Sequence, residues 1–193
     1  MTNKEKLKII EERTEEVMSF RHELTKETDR GCALMAGSFL EFELQKLIAS
    51  KLVGTSKVVN ELFDFNGPLG TFSSRIKMSY SLGLISKETK TDLDIIRKIR
   101  NEFGHKYESI TFESPSIKSL IGNLKQHAYL SDSVRSRAFF TSSVLGTLGQ
   151  INGAYHLIPE FKEFIHNPVP ENYKQKIHEL VKTITDELTS KTK

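Results

Sequence analysis

Apolar residues recur three and four positions apart along almost the whole chain, the period of a helix with one face turned to a core. Leu7, Ile10, Thr14, Val17, Met18 and Leu24 mark one face of a first helix, and Lys, Glu and Arg fill the rest. Asp29 is placed to cap or hinge the entry to a second helix, Gly31 to Val53, with Gly54 as its C′ stop. Ala33, Leu34, Ala36, Phe39, Leu40, Phe42, Leu44, Leu47 and Ile48 make that helix apolar over most of its circumference, which predicts a place at the centre of a bundle.

Downstream, a short helix over Val58 to Phe63 follows Ser56, and Phe65-Asn-Gly-Pro68 has the chemistry of a turn. Thr71 can cap a helix to Leu82, closed by Gly83. Ser86 opens the next, with Leu93, Ile95, Ile96, Ile99 and Phe103 facing apolar neighbours up to Gly104 and His105. The stretch Ser109 to Phe112 breaks the rhythm, and Ser114-Pro115 then supplies an N-cap followed by a first-turn proline. Ile117, Leu120, Ile121 and Leu124 share one further helix, and a longer one runs from about Ser133 to Leu157. Pro159 opens a short piece, Phe161 to Ile165, and a kink at Pro168-Val-Pro170 precedes a last amphipathic helix. That helix is marked by Tyr173, Ile177, Leu180, Val181, Ile184 and Leu188. No region alternates with the period of several strands. The pattern predicts an all-α fold, a single multi-helix bundle of about seven to nine helices in one domain over residues 1–193, residues 131–193 supplying the C-terminal helices.

Composition narrows the function more than the fold. With 193 residues, 37% of them apolar and 27% charged, the chain can bury a core without crosslinks. One cysteine, Cys32, leaves neither an intramolecular disulfide nor a Cys-based zinc site, and on a buried helix it reads as an inert core residue. The other histidines lack metal-ligand spacing, so neither metal nor cofactor is expected. A polar start and the lack of a membrane-length apolar run point to a cytoplasmic protein with no membrane partner. The net charge of +3 is small and dispersed, whereas a duplex-DNA binder concentrates its cations on one face. The best helix-turn-helix candidate, Leu69 to Arg100, carries Arg97, Lys98 and Arg100 at the wrong end of its second helix for reading bases.

Residues Arg97 to His105 hold the densest chemistry. Arg100 can grip a phosphate in bidentate fashion, Asn101 both donates and accepts, and His105 can move a proton near neutral pH. Arg97 and Lys106 border the same segment. Arg-x4-His with Asn directly after the Arg resembles the signature of HEPN domains, which include metal-independent ribonucleases. Beside it stands a preceding buried helix bearing Glu41 and Glu43. That resemblance implies attack of an RNA 2′-hydroxyl on the adjacent phosphate, with His105 as acid or base and Arg100 stabilising the charged intermediate. Asn101 would orient one of them, in a site usually completed across a dimer. On a straight helix, however, five residues subtend about 140°, so Arg100 and His105 diverge, whereas Arg97, Asn101 and His105 line up. Either the helix ends at Gly104 and His105 swings back, or Arg97 is the better partner.

Two longer phrases resemble the mannitol operon repressor family. One is Arg30-Gly-Cys-Ala-Leu-Met-Ala-Gly-Ser-Phe-Leu-Glu-Phe-Glu-Leu. The other begins Phe65-Asn-Gly-Pro-Leu-Gly-Thr-Phe-Ser-Ser-Arg-Ile-Lys and resumes at Asp92-Leu-Asp-Ile-Ile-Arg-Lys-Ile-Arg-Asn-Glu-Phe-Gly-His. The likeness covers roughly residues 30–124. It implies an all-helical, homodimeric regulator of transcription that lacks a DNA-reading motif and works through a regulatory or phosphotransfer protein. The sugar itself is not implied. RNA is a partner only on the HEPN reading.

Structural readings compete with both. His105 near a helix C-terminus can simply serve the dipole and free carbonyls. Arg97 and Arg100 can pair with Glu41, Glu43, Asp92 or Asp94 in a structural network. The Asn66-Gly-Pro-Leu-Gly segment reads as a turn, because it has neither a Lys-Ser/Thr ending nor a strand before it.

Overall fold

The computed structural model describes residues 3–127, 135–165 and 170–190. Eight helices carry them: α1 (Asn3–Lys26), α2 (Asp29–Ala49), α3 (Ser56–Glu61), α4 (Phe72–Ser81), α5 (Lys87–His105), α6 (Pro115–Ile121), α7 (Ser136–Leu157) and α8 (Glu171–Ser190). Among the described residues there is no strand, so the all-α expectation holds. The chain divides into two compact units, Met1–Phe161 with the first seven helices and Lys162–Lys193 with α8. Ser133, Pro168 and the side chains of Leu7 and Ile10 lie outside the described residues.

α2 is the hub of the first unit. The Thr28 hydroxyl accepts the Gly31 N–H at 3.0 Å, so Thr28 is its N-cap and Asp29 sits just inside. Asp29 ties the helix to other segments instead: its carboxylate accepts the Phe112 N–H at 3.0 Å and pairs with Arg137 at 2.9 Å. Leu40, Leu44, Leu47 and Ile48 are fully buried on α2, as its apolar circumference predicts. α5 lies against it with Leu93, Ile96, Ile99 and Phe103 buried, and α7 closes the core with Phe140, Val144 and Leu148. Phe103, Phe112 and Phe140 pack in sequence as tilted ring pairs, with centroids 5.2 and 4.8 Å apart, joining α5 to α7 through the irregular segment before α6.

Several boundaries depart from expectation for local reasons. α2 stops at Ala49, short of Val53, because Lys51 leaves the helix to serve another. Its ammonium is buried and donates to the carbonyls of Tyr155 and Ile158, each at 2.7 Å, at the C-terminal end of α7. The Lys51 carbonyl in turn accepts the Phe161 N–H at 2.9 Å. Residues 158–165 are irregular where a short helical piece, Phe161 to Ile165, was expected. Gly54 has φ +129° in the loop beyond and is not the helix C′ residue. Ser114 is the N-cap residue and Pro115 follows in the first turn as predicted, but the Ser114 hydroxyl accepts the Thr111 N–H and makes no capping bond. On α1, Leu24 and Phe20 are buried and Phe20 stacks on Phe39 with centroids 3.9 Å apart. Of the expected stripe Leu24 is buried and Val17 partly so, while Thr14 and Met18 are exposed.

Candidate functional site

The segment richest in chemistry occupies the second half of α5. Ser86 caps the helix by accepting the Thr89 N–H at 3.2 Å, and the buried apolar face sets its rotation. The helix runs on through His105 and is closed by Lys106, whose N–H donates to the Glu102 carbonyl. His105 therefore does not swing back at Gly104. It remains on the helix about 140° round from Arg100 and in line with Asn101 and Arg97.

Each residue then has a distinct setting. Arg100 is half-buried, and its methylenes lie over Gly37 of α2, where a Cβ would sit 2.7 Å from the Arg100 Cγ. Gly37 thus lets the two central helices approach closely. The Arg100 guanidinium donates to Asn101 Oδ1 at 3.3 Å. Arg97 lies 3.5 Å from Asp94 through Nη2, while its buried Nε has no partner. Asp94 is also gripped by Lys90 at 2.8 Å. His105 and Lys106 are exposed, and Lys106 pairs with Glu102 at 2.6 Å, which raises the ammonium pKa. Arg30 from α2 donates to the carbonyls of Lys106 and Glu108 at 2.8 and 3.0 Å and fixes the chain just past the helix.

The two glutamates go elsewhere. Glu41 is 3.8 Å from Arg75. Glu43, buried at 3% exposure, pairs with Arg13 of α1 and with Lys46 at 3.1 Å. Arg13 also donates to Asn152 of α7 at 2.6 Å, and a cavity of about 240 Å³ lies against this cluster. Among the described residues neither glutamate forms an ion pair with Arg97 or Arg100. The structure brings together Arg97, Asn101 and His105 on one face and leaves Glu41 and Glu43 in separate structural pairs.

The turn after α3 is architectural. A Cβ at Gly67 would lie 2.5 and 2.6 Å from the carbonyl oxygens of Leu62 and Glu61, and one at Gly70 would overlap the Asp64 carbonyl. Thr71 and Ser74 form a capping box, each hydroxyl accepting the other residue's backbone N–H. Arg75 donates to the Leu69 carbonyl at 2.8 Å and stacks over Phe63 with 5.5 Å to the ring centroid. From the tip of this rigid turn Phe65 projects, 93% exposed.

The sequence reading offered Asp92 only as a partner for Arg97 or Arg100, and its actual role lies elsewhere. Asp92, fully buried, accepts the Lys125 N–H at 3.0 and 2.9 Å and the Gln126 N–H at 2.7 Å, tying the segment after α6 to α5. Gly146 on α7 admits the same segment from the other side, since a Cβ there would overlap the Gln126 carbonyl. Cys32 behaves as expected: burial pushes its thiol up to about 11 and leaves it unreactive. Among the described residues no cluster of His, Cys, Asp and Glu could hold a metal, and no helix is long and apolar enough to cross a membrane.

Fold and site together define an all-helical bundle in which most motif residues build the frame and a small set remains on its surface. The mannitol repressor family matches residues 24–145, more than half of the chain, and the chain belongs to that family. The mannitol operon repressor of Escherichia coli K12 is 33% identical over 66 residues, and the aligned stretch is 34% of either protein. The chain thus matches about a third of that relative's length. Among solved structures, the E. coli MtlR–HPr complex superposes with a TM-score of 0.58 at 20% identity, covering 69% of this chain and 98% of that one. A possible transcriptional regulator, YggD from Shigella flexneri 2a, gives 0.53 at 17% identity, covering 72% and 98%. At these identities the likeness is one of fold.

Proposed function

We propose that this protein is a non-catalytic, cytoplasmic regulator of transcription that acts by protein contact, with a phosphotransfer protein of the HPr kind as partner and a second copy of itself as another. The family match over residues 24–145 carries the reading. Two features of the chain support contact over direct DNA reading. The cations Arg97, Lys98 and Arg100 lie in the second half of α5, behind an apolar face already buried in the bundle. Phe65 offers a rigidly mounted, exposed aromatic of the type that anchors protein interfaces. Isothermal titration of the full chain with purified HPr, phosphorylated and not, tests the proposal. Saturable binding is expected, weakened at least about tenfold by Phe65→Ala if that ring is an anchor. No binding of either form, or tight sequence-specific promoter binding by the protein alone at physiological salt, overturns it.

A second reading, RNA cleavage at the α5 terminus, is favoured by one observation. Arg97, Asn101 and His105 share a face, with His105 exposed. On this reading Arg97 takes the charge-stabilising role that the resemblance alone gives to Arg100. Arg97→Ala and Arg100→Ala separate the two assignments.

A further inference from the structure

Within the second unit, α8 carries an apolar stripe. Residues 171–189 of α8 are all exposed, and Tyr173, Ile177, Leu180, Val181, Ile184 and Leu188 remain 48 to 64% accessible. At about 100° per residue these six fall in one band some 100° wide, the seam of a helix that packs against another. Positions 173, 177, 180 and 184 keep the four-three-four spacing of a two-helix seam.

The pattern also reads the same from both ends. About a midpoint between positions 180 and 181, Tyr173 reflects onto Leu188, Ile177 onto Ile184 and Leu180 onto Val181. Reversal leaves the apolar stripe in place but changes the sign of the charges, because Lys174 reflects onto Glu187 and Glu179 onto Lys182. Lys176 and Glu187 border the same edge of the stripe. In an antiparallel pair equal edges meet, so Lys176 of one copy stands about two residues, roughly 3 Å, along the axis from the level of the other copy's Glu187. Parallel pairing gathers Lys174 and Lys176 of both copies at one end, and like charges there oppose it. It also aligns the two helix dipoles unfavourably.

We infer that α8 pairs antiparallel with the α8 of a second copy, burying this stripe around a twofold axis near positions 180 and 181. The inference rests on the self-association proposed above and names its surface. Sedimentation of the full chain at micromolar concentrations should show a dimer. Ile177→Asp with Ile184→Asp should raise its dissociation constant at least about tenfold while the bundle unfolds as before. Lys176→Glu should weaken the dimer, and adding Glu187→Lys should restore it, a rescue that a merely unfolded helix cannot give. Geometry is read by mixing full chains carrying Tyr173→Cys or Leu188→Cys under mild oxidation, with the native Cys32 buried and silent. The mixed disulfide should form and neither variant should crosslink to itself. A monomer at all concentrations overturns both the self-association and this surface. A dimer indifferent to the two aspartates overturns the surface alone, and self-crosslinking through Tyr173→Cys overturns the antiparallel arrangement.

Discussion

Asp92→Ala removes one carboxylate and strands two backbone donors. The wild-type side chain accepts the Lys125 N–H with both oxygens, at 3.0 and 2.9 Å, and the Gln126 N–H at 2.7 Å, from a fully buried position on α5. A buried N–H without an acceptor costs about 1–3 kcal/mol, so the two together cost about 2–6 kcal/mol. Against this stands the expense of burying a carboxylate, which the substitution relieves. A net loss of about 3 kcal/mol follows. For a chain of this size that is a fall in Tm of about 6–12 °C. Asp92→Asn retains one acceptor oxygen but turns an NH₂ towards an N–H, and should cost about 1 kcal/mol.

The pH dependence has a definite sign. Burial holds the Asp92 carboxyl above its ordinary value of 3.8, outweighing the Gln126 and Lys125 N–H groups and the His127 and Lys125 charges that pull it down. The native state therefore holds the Asp92 proton more tightly than the unfolded chain does. This contribution to stability is complete below 3.8 and is lost as pH rises through the native value. The margin of wild type over Asp92→Asn should accordingly narrow as pH rises from the acid side to neutrality. Urea unfolding of the three proteins across that range reads both effects. If Asp92→Ala unfolds within about 0.5 kcal/mol of wild type, the carboxylate is no clamp and the argument fails.

Lys51→Met should lower stability by about 2–4 kcal/mol in the same assay, because it strips the Tyr155 and Ile158 carbonyls of a buried ammonium 2.7 Å from each. Gly67→Ala drives a methyl group to 2.5 Å from the Leu62 carbonyl oxygen, and should cost about 1–3 kcal/mol by thermal unfolding. Single-stranded RNA incubated with the protein and a chelator should stay intact with wild type and His105→Ala alike. Cleavage by wild type that His105→Ala abolishes would instead install the nuclease.

Local signals in this chain were legible and long-range ones were not. Thr71 and Ser86 announce their helices because a capping hydroxyl acts within three residues, and Gly83 closes α4 at φ +69°. The apolar faces of α2 and α5 identified the central pair. By contrast, Lys51 bonds to carbonyls more than a hundred positions away and Asp92 to amides more than thirty away. Nothing beside either residue distinguishes it from a solvated charge. The same blindness extended α2 to Val53, since only the fold shows Lys51 drawn off towards α7. On α1 the stripe was visible but its target was not: periodicity says that a face is buried, never against what. At the site, spacing correctly isolated Arg97, Asn101 and His105 as one face, while the partners of Glu41 and Glu43 emerged only with α1 and α4 in place.

Most residues of the long second phrase are used inside the fold, and only a few of them are left to a partner. Gly67, Gly70, Thr71, Ser74, Arg75 and Asp92 all belong to the long second phrase, and each is used inside the fold as a close approach, a cap or a clamp. Together they specify how this part of the bundle is built. At the surface the phrase leaves Phe65 at the tip of the braced turn and His105 at the end of α5, with Tyr107 just beyond it, the two aromatic rings 93% exposed. An exposed ring on a rigid mount loses little conformational freedom when a partner covers it, so it contributes more to binding than the same ring on a loose loop. Changes at these three exposed positions alter the surface while leaving those framework contacts in place. Exchanging Phe65 or Tyr107 should alter what is bound while leaving unfolding untouched, whereas exchanging Gly67 or Asp92 should do the reverse.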